Sequence, residues 1–511
     1  MKGFMHVVEV VLVVLLVFFV FAQFSSIPRI STDWSDVKLK LLGNDILSSL
    51  DLQGINWFNE SEVKEGLNQT IPKNIIYNIR LDNVIKPKIV VGCYCDDAKF
   101  NQLVSILSPG WFVVNDENVS FELVKAENTS EIFNLDFDVS VFFDYQNLKA
   151  QETPLRNFLG HDKGIVEICD LDSWDPAQDS IQEDYFGLRT STLTPNANSI
   201  SFHDTSKDVD NEVYNARKYF YHIPLFHDSF DNLDQWNTET GNPAIVEFGD
   251  GKSVNLQAGA ENTWIYSNYN DFSDGEINLD VYIEGGVFYL EFRLDPATDE
   301  AYVAAFSTDP SLGYDAFYSQ SSGPVLTYIG SNQSHTTSKN GWHRMKVVVE
   351  GGNFELYNDG ELVAAASGLT GTGAIGLRHE GGDVYADNVR TTFAGDHQFR
   401  NFLSSNENIT QLDDNNRKIL LWQATSGVAA AIINYDIQEG KGRTVWLSGG
   451  GDMNSEEQKV LIKSLMAWTA GNSYDVLKSE IKRPVTVHIY KTFSRDMLQE
   501  VRISLGLSYL Y

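Results

Sequence analysis

Basic residues are scarce in this sequence. It contains 38 lysines and arginines against 70 aspartates and glutamates, so its formal net charge is -32 at pH 7. Nucleic acids and anionic lipid headgroups attract basic surfaces, which excludes both as partners of the acidic bulk of the chain. The acidic surface is compatible with solubility, with a salty medium and with cation binding, and it does not distinguish among these explanations.

Cysteines are also few, since three do not suffice for a disulfide-stapled scaffold. Cys93 and Cys95 lie in the strand-like segment 88–95, where alternation places them on one face, and Cys169 ends the strand-like segment 164–169. In an exported chain two of the three are expected to pair. A bridge from Cys169 to Cys93 or Cys95 can form if the two strands are neighbours. Zinc is disfavoured, because three thiols without a nearby histidine leave a tetrahedral site incomplete.

A long hydrophobic run opens the sequence. As a helix it is long enough to cross the ~30 Å hydrocarbon layer, and no small-residue cleavage site follows it. We therefore predict a retained transmembrane anchor over residues 1–24, in contact with membrane lipid through residues 4–24. Lys2 and the free amino group favour a cytoplasmic N-terminus, which places the bulk of the chain outside the cell. Six Asn-x-Ser/Thr tripeptides are compatible with an exported glycoprotein.

Glu9 is an acidic residue within the apolar run. A carboxylate surrounded by lipid is costly, so Glu9 either reaches back to the interface or has a partner. Lys2-Gly3-Phe4-Met5, with the apolar helix behind it, resembles the processing site of archaeal type IV pilin-like proteins. That resemblance implies that Glu9 pairs with a neighbouring subunit during filament assembly.

Apolar periodicity divides the rest of the chain. A helical repeat after the anchor predicts a stalk, and strands that alternate with helices predict a flavodoxin-like domain with a mostly parallel sheet. The strand pattern of this domain resumes after position 418, so the domain is split by an insert. The predicted segments are the anchor (1–24), a stalk and linker region (25–85), the first part of the α/β domain (86–225), the insert (226–394), the second part of the α/β domain (395–475) and a C-terminal β-hairpin (476–511).

The insert has the alternation of half-buried antiparallel strands. Ile277, Leu279 and Val281 are separated by polar residues, and Asp359-Gly360 supplies the positive φ of a tight turn. Such strands, joined by glycine turns, predict a β-sandwich of two sheets.

Several motifs of the insert resemble, in order, the concanavalin A-like and laminin-G-like jelly roll, including its sugar-hydrolase-associated relatives. These are Phe226-His-Asp-Ser-Phe230, Gly341-Trp342-His343, Tyr357-Asn-Asp-Gly360, Gly373-Ala-Ile-Gly-Leu377 and Ala386-Asp-Asn-Val389. The resemblance implies Ca²⁺ ligands at Asp228 and Asp387, because several relatives bind calcium with acidic residues at the two ends of this domain.

A jelly-roll lectin binds sugar on a concave sheet face, where rings contact C–H surfaces and charged groups contact hydroxyls. Tyr289, Glu291 and Arg293 recur at every second position of one strand, which favours a shared face. Arg378 and His379 follow on another strand. The candidate stacking rings are Trp264, Tyr266, Tyr318 and Tyr328.

The split α/β domain is similar to class I glutamine amidotransferases, especially the trehalose-utilisation-like branch, through residues 442–450 and 467–471. The resemblance implies a nucleophilic cysteine on a glycine-flanked elbow, but Cys169 lacks those glycines and no His-x-Glu follows the later strands. We therefore expect this domain to be non-catalytic.

Hydrolysis of sugars by a retaining mechanism would require two carboxylates about 5 Å apart. Glu276, Asp280 and Glu284 share one strand face, yet the Glu-x-Asp-x-x-Glu motif of related jelly-roll hydrolases is absent. This absence favours binding over catalysis.

The sequence thus predicts a multidomain α/β plus all-β protein behind a transmembrane helix. Its predicted function is recognition or adhesion at the cell exterior, with glycans as the expected ligands. An ectoenzyme that hydrolyses oligosaccharides and a pilin-like filament subunit are the alternatives. The ligand and the oligomeric state are left open.

Overall fold

The computed structural model describes residues 30–509, apart from gaps at 83, 109, 115–116, 129–130, 144–147, 170–184, 187, 194–199, 204–211, 250, 257–261, 312, 322–324, 331–334, 395–396, 400–406, 412–416, 424–427, 437–441, 449–454, 472, 478–483 and 494–498. Within these residues no helix has both the length and the apolar character needed to cross a membrane. The predicted anchor, including Glu9, lies outside the described residues.

Helices and strands are numbered in chain order. The described helices are α1 (Ile30–Leu52), α2 (Glu60–Thr70), α3 (Asp97–Leu107), α4 (Glu152–Leu159), α5 (Glu212–His222) and α6 (Glu456–Thr469), with a 3-10 turn at Leu148–Gln151. The described strands are β1 (Ile75–Asp82), β2 (Lys88–Tyr94), β3 (Trp111–Val114), β4 (Glu117–Lys125), β5 (Val139–Phe143), β6 (Gly164–Cys169), β7 (Leu188–Leu193), β8 (Ile200–Phe202), β9 (Phe226–Asp228), β10 (Trp236–Thr240), β11 (Ala244–Phe248), β12 (Gly251–Leu256), β13 (Trp264–Ser267), β14 (Gly275–Ile283), β15 (Val287–Asp295), β16 (Glu300–Ser307), β17 (Ala316–Gln320), β18 (Leu326–Tyr328), β19 (Gly341–Glu350), β20 (Asn353–Asn358), β21 (Glu361–Ser367), β22 (Ala374–Glu380), β23 (Val384–Thr392), β24 (Gln398–Phe399), β25 (Glu407–Gln411), β26 (Arg417–Gln423), β27 (Val428–Asp436), β28 (Gly442–Ser448), β29 (Ser473–Leu477), β30 (Val485–Phe493) and β31 (Gln499–Tyr509).

The described residues of the ranges 30–85 and 473–509 form one compact unit. Its antiparallel sheet has the strand order β29-β1-β31-β30, and α1 packs on β30 and β31. The helix contributes buried side chains at helical spacing, among them Leu39, Ile46 and Leu50. The segments predicted separately as a stalk and a terminal hairpin therefore belong to one unit.

Residues 86–471 form a second unit, in which a ten-stranded sheet has the order β24-β8-β26-β27-β28-β6-β5-β2-β4-β3. Strands from both sides of the insert share this sheet. Only the run β4-β2-β5-β6-β28 is parallel, and the flanking strands are antiparallel. The sheet is thus mixed rather than mostly parallel, and a flavodoxin-like domain stays a prediction.

The cysteine pairing is not the bridge to Cys169 that was considered for neighbouring strands. Cys93 is bonded to Cys95, with their Cα atoms 5.7 Å apart. β5 lies between β2 and β6, so Cys169 is two strands away from this pair. Two strand spacings amount to about 10 Å, whereas the Cα atoms of a disulfide lie at most about 7 Å apart.

The insert forms a sandwich of two antiparallel sheets. One sheet has the order β10-β13-β22-β15-β16-β17-β18, and the other has the order β11-β12-β23-β14-β19-β20-β21, with β9 beside β23. Alternation along each strand sends one set of side chains into the shared core, including Ile277, Leu279 and Val281 from β14 and Phe288 from β15. The other set of side chains, from β15 and its neighbouring strands, lies on the outer side of the seven-stranded sheet.

The predicted tight turn between β20 and β21 is confirmed. Asp359 and Gly360 have φ values of 49° and 84°, the left-handed values that such a hairpin turn requires.

Candidate functional site

The outer side of the seven-stranded sheet carries a patch of aromatic and charged side chains on an apolar floor. We call it the outer face. Its floor includes Val287, Val303 and Ala305, all buried. Neighbouring strands contribute its rings because directly paired residues lie on one side of a sheet. The side chains that we assign to the outer face are Trp264, Tyr266, Tyr289, Glu291, Tyr318, Gln320, Tyr328 and Arg378.

Glu291 is the centre of this patch. The indole Nε1 of Trp264 donates to its Oε2 at 2.7 Å, and Nη1 of Arg378 lies 3.6 Å from its Oε1. The same Nη1 donates to the side-chain oxygen of Gln320 at 3.2 Å. The Arg378 guanidinium lies 4.7 Å from the centre of the Tyr289 ring, which adds a cation–π contact. One arginine thus connects an acid, an amide and a ring.

The carboxyl of Glu291 has no solvent exposure. Burial raises its pKa to about 7, although Arg378 and the Trp264 hydrogen bond both oppose that rise. Near neutral pH the group is therefore divided between its acidic and ionised forms, whereas an exposed glutamate would be ionised.

Gly376 makes room for Glu291. The two residues are opposite each other on β22 and β15, and a Cβ at position 376 would lie 2.5 Å from Oε2 of Glu291. In the sequence this glycine is recognisable only as part of a fold motif. Gln320 and Glu380 were not predicted as site residues, and Glu380 accepts from the Tyr289 hydroxyl at 3.1 Å. Only the positions of Gln320 and Glu380 on their strands could have indicated these two residues.

Arg293 does not join the patch. The pairing of β15 shifts register between Phe292 and Asp295, and Arg293 has a positive φ of 52°, so the simple alternation assumed from the sequence fails there. Its guanidinium instead donates to the carbonyls of Ser273, Leu369 and Gly351 and to Asp274. Arg293 therefore connects loops of the sandwich.

His379 also lies elsewhere. Successive residues of a strand point to opposite sides, so Arg378 and His379 cannot share a face. His379 pairs with the core residue Phe288 and is fully buried. Burial lowers its pKa, which favours the neutral imidazole.

The predicted calcium ligands are engaged by the protein itself. Asp228 accepts from the backbone N–H of Phe230 at 2.7 Å and from the indole of Trp236 at 2.8 Å, and Asp387 accepts from the backbone N–H of Asn388. Among the described residues no group of three or more histidines, cysteines and acids is arranged for a metal ion. Calcium binding stays a prediction.

Carboxylates on the outer face do not form a hydrolytic pair. Glu380 lies opposite Val287, four strand positions from Glu291, which corresponds to about 13 Å. Of the three acids predicted to share a face, Asp280 pairs across strands with Asp387 in the other sheet, where the Asn388 amide donates to both at 3.1 and 3.4 Å. The outer face therefore has one buried acid rather than two facing ones.

Comparison with known proteins finds a family model that matches the insert. The family model of the 3-keto-alpha-glucoside-1,2-lyase-like domain matches residues 222–392. The prediction of a concanavalin A-like jelly roll is thereby confirmed for the insert. No curated protein matches the chain. The comparisons give no support to the amidotransferase-like or the pilin-like resemblance.

Solved structures similar to the chain align over about a third of its length. A carbohydrate-binding module CBM66 from Bacillus subtilis is 23% identical over 32% of this chain and 97% of its own, with a TM-score of 0.27. A Bacillus subtilis protein with a galectin-like fold is 15% identical over 34% and 97%, with a TM-score of 0.28. A glycoside hydrolase family 16 endo-glucanase from Bacteroides ovatus is 14% identical over 33% and 99%, with a TM-score of 0.27.

Proposed function

We propose that the insert binds a glycan on its outer face. The observation that carries this proposal is the connected group of Trp264, Glu291, Arg378 and Tyr289 on one sheet face. Partly exposed rings offer stacking surface for sugar C–H groups, and the Arg378 guanidinium, held in place by Glu291 and Gln320, offers directional contacts for hydroxyls. The matched domain, named for a lyase of oxidised glucosides, supports a sugar as the ligand.

The proposal extends to the whole chain. The insert acts at the cell exterior, attached by residues 4–24, and the amidotransferase-like domain that carries it is non-catalytic. Recognition or adhesion is then the function of the protein, and a pilin-like assembly through Glu9 is the alternative way to hold it at the surface.

Replacement of Trp264 by alanine tests the glycan proposal. We expect the full-length protein to bind at least one member of a glycan array, and the W264A variant to bind it at least about tenfold more weakly, because a ring and a hydrogen bond to Glu291 are lost. Titration calorimetry with the selected oligosaccharide measures the change.

The matched control is W342A. Trp342 is also a partly exposed tryptophan of the insert, but it lies on the other sheet, among Phe248 and Tyr282. Its loss should leave the affinity unchanged. Equal losses in both variants, or an array without any bound glycan, would refute the proposed site.

The second candidate is an enzyme that cleaves glycosides, and the pKa of Glu291 favours it. A carboxyl with a raised pKa can protonate a leaving oxygen, but Glu291 has no solvent exposure, so a substrate must first displace Trp264 from it. If it does, turnover of a 3-keto-disaccharide should fall as the pH rises through about 7, where Glu291 loses its proton.

The E291Q variant separates the two functions. Glutamine keeps the shape of the side chain but has no proton to transfer, so the enzyme hypothesis expects at least about a hundredfold loss of turnover with substrate binding retained. Unchanged turnover in E291Q would exclude Glu291 as the acid, and no turnover by the native protein would leave binding alone.

A further inference from the structure

The Cys93–Cys95 disulfide lies where β2 leaves the ten-stranded sheet. β2 ends at Tyr94 and α3 begins at Asp97, so the bond is at the carboxyl end of a parallel strand. In open α/β sheets, ligands bind beside the carboxyl ends of the parallel strands. A partner that binds beside this edge would therefore reach the disulfide.

This disulfide adds little constraint to the fold. It spans a single residue, and the stabilisation that a disulfide gives by restricting the unfolded chain increases with the length of the closed loop. The backbone of Cys93 is already fixed, because β2 pairs with Lys125 of β4 on one side and with Val141 of β5 on the other. The strand does not depend on the bond.

The two cysteines differ in their access to solvent. Cys93 is fully buried, whereas Cys95 is partly exposed. Thiol–disulfide exchange begins when a thiolate attacks a sulfur that it can reach, and here that sulfur belongs to Cys95. Cys93 is enclosed next to it and is placed to break or re-form the bond from the inner side.

We propose that Cys93 and Cys95 are a reversible dithiol–disulfide couple that exchanges electrons with thiol-containing partners. In reduction, a partner thiolate bonds to Sγ of Cys95 while the Cys93–Cys95 bond breaks, and Cys93 leaves as a thiolate. A second partner thiolate then bonds to the first partner sulfur and releases Cys95. Two partner thiols become one disulfide, and the cysteines take up two protons. Oxidation is the reverse of these steps.

The test uses the full-length protein with C169S, so that two cysteines remain. The protein is equilibrated with mixtures of reduced and oxidised glutathione, and free thiols are trapped with a maleimide and counted by mass spectrometry. We expect zero free thiols at the oxidising end and two at the reducing end, without denaturant. The melting temperature should change by less than about 2 °C on reduction, because the closed loop is short.

Single variants test the different access of the two sulfurs. In the C169S background, C93S leaves the thiol of the partly exposed Cys95 and C95S leaves that of the buried Cys93, so C93S should form a mixed disulfide with oxidised glutathione at least about tenfold faster. A bond that opens only after denaturation would overturn the proposal, as would a fall of about 10 °C in melting temperature on reduction, or equal rates in the two variants. Each of these results would assign the bond a structural role.

Discussion

Replacing Asp138 by asparagine is expected to destabilise the unit of residues 86–471 by about 3–5 kcal/mol, because it leaves two buried ammonium groups without their anion. Lys86 and Lys163 each place Nζ 3.0 Å from Oδ1 of Asp138, and the backbone N–H of Val90 donates to Oδ2 at 3.0 Å. All three charged side chains are less than a fifth exposed. Solvent therefore cannot replace the lost carboxylate charge.

The destabilisation caused by D138N should become smaller as the pH falls. Burial raises the pKa of Asp138, but Lys86 and Lys163 outweigh it, so the pKa in the folded protein lies below the ordinary carboxyl value. The ionised group thus stabilises the fold above the unfolded-state pKa, and this contribution is lost as the pH falls through the folded-state value. Urea unfolding at neutral and acidic pH should show the difference between D138N and the native protein narrowing in acid.

The matched control is E122Q. Glu122 pairs with Lys88 in the same sheet at 2.5 Å, yet both side chains are at least half exposed. Such surface pairs contribute less than about 1 kcal/mol, so E122Q should leave the urea midpoint nearly unchanged. If D138N, like E122Q, left the urea midpoint nearly unchanged, the buried group of Lys86, Asp138 and Lys163 would not stabilise the fold.

Period-two alternation was sufficient to predict much of the insert from the sequence. Phe288 lies in the sandwich core while Tyr289 and Glu291 lie on the outer face, and the Asp359-Gly360 turn has the predicted backbone. These features depend on neighbours along the chain, which the sequence displays directly.

Features that depend on pairing between strands could not be predicted in the same way. The bulge at Arg293 turns its side chain away from the outer face, although the residue types continue the pattern. The position of β5 between β2 and β6 separates Cys169 from the other cysteines, and no single segment reveals that order. The environment of the buried Glu291 carboxyl, and hence its pKa, likewise depends on Trp264 and Arg378 from other strands.

Gly376 gives the sharpest test of that cross-strand geometry. An alanine there would place its methyl group 2.5 Å from Oε2 and 3.1 Å from Cβ of Glu291, so Glu291 must leave its position and release Trp264. We expect G376A to lower the stability of the insert by about 1–3 kcal/mol, as overpacking does, and to weaken glycan binding at least about tenfold. Urea unfolding and titration with the array-selected oligosaccharide measure the two effects.

A double substitution distinguishes this clash from a general intolerance of side chains in β22. Shortening Glu291 to alanine removes most of the atoms that the new methyl group would meet, so E291A should restore much of the stability lost in G376A while binding stays weak. The stability changes would then be non-additive in a double-mutant cycle, as expected for two positions in contact. The control is G251A, because Gly251 also lies in a strand of the insert but a Cβ there meets nothing within 4 Å. Additive losses of stability in the double variant would mean that Gly376 is not needed to make room for Glu291. In that case Gly376 would not hold the buried carboxyl of the outer face in its position.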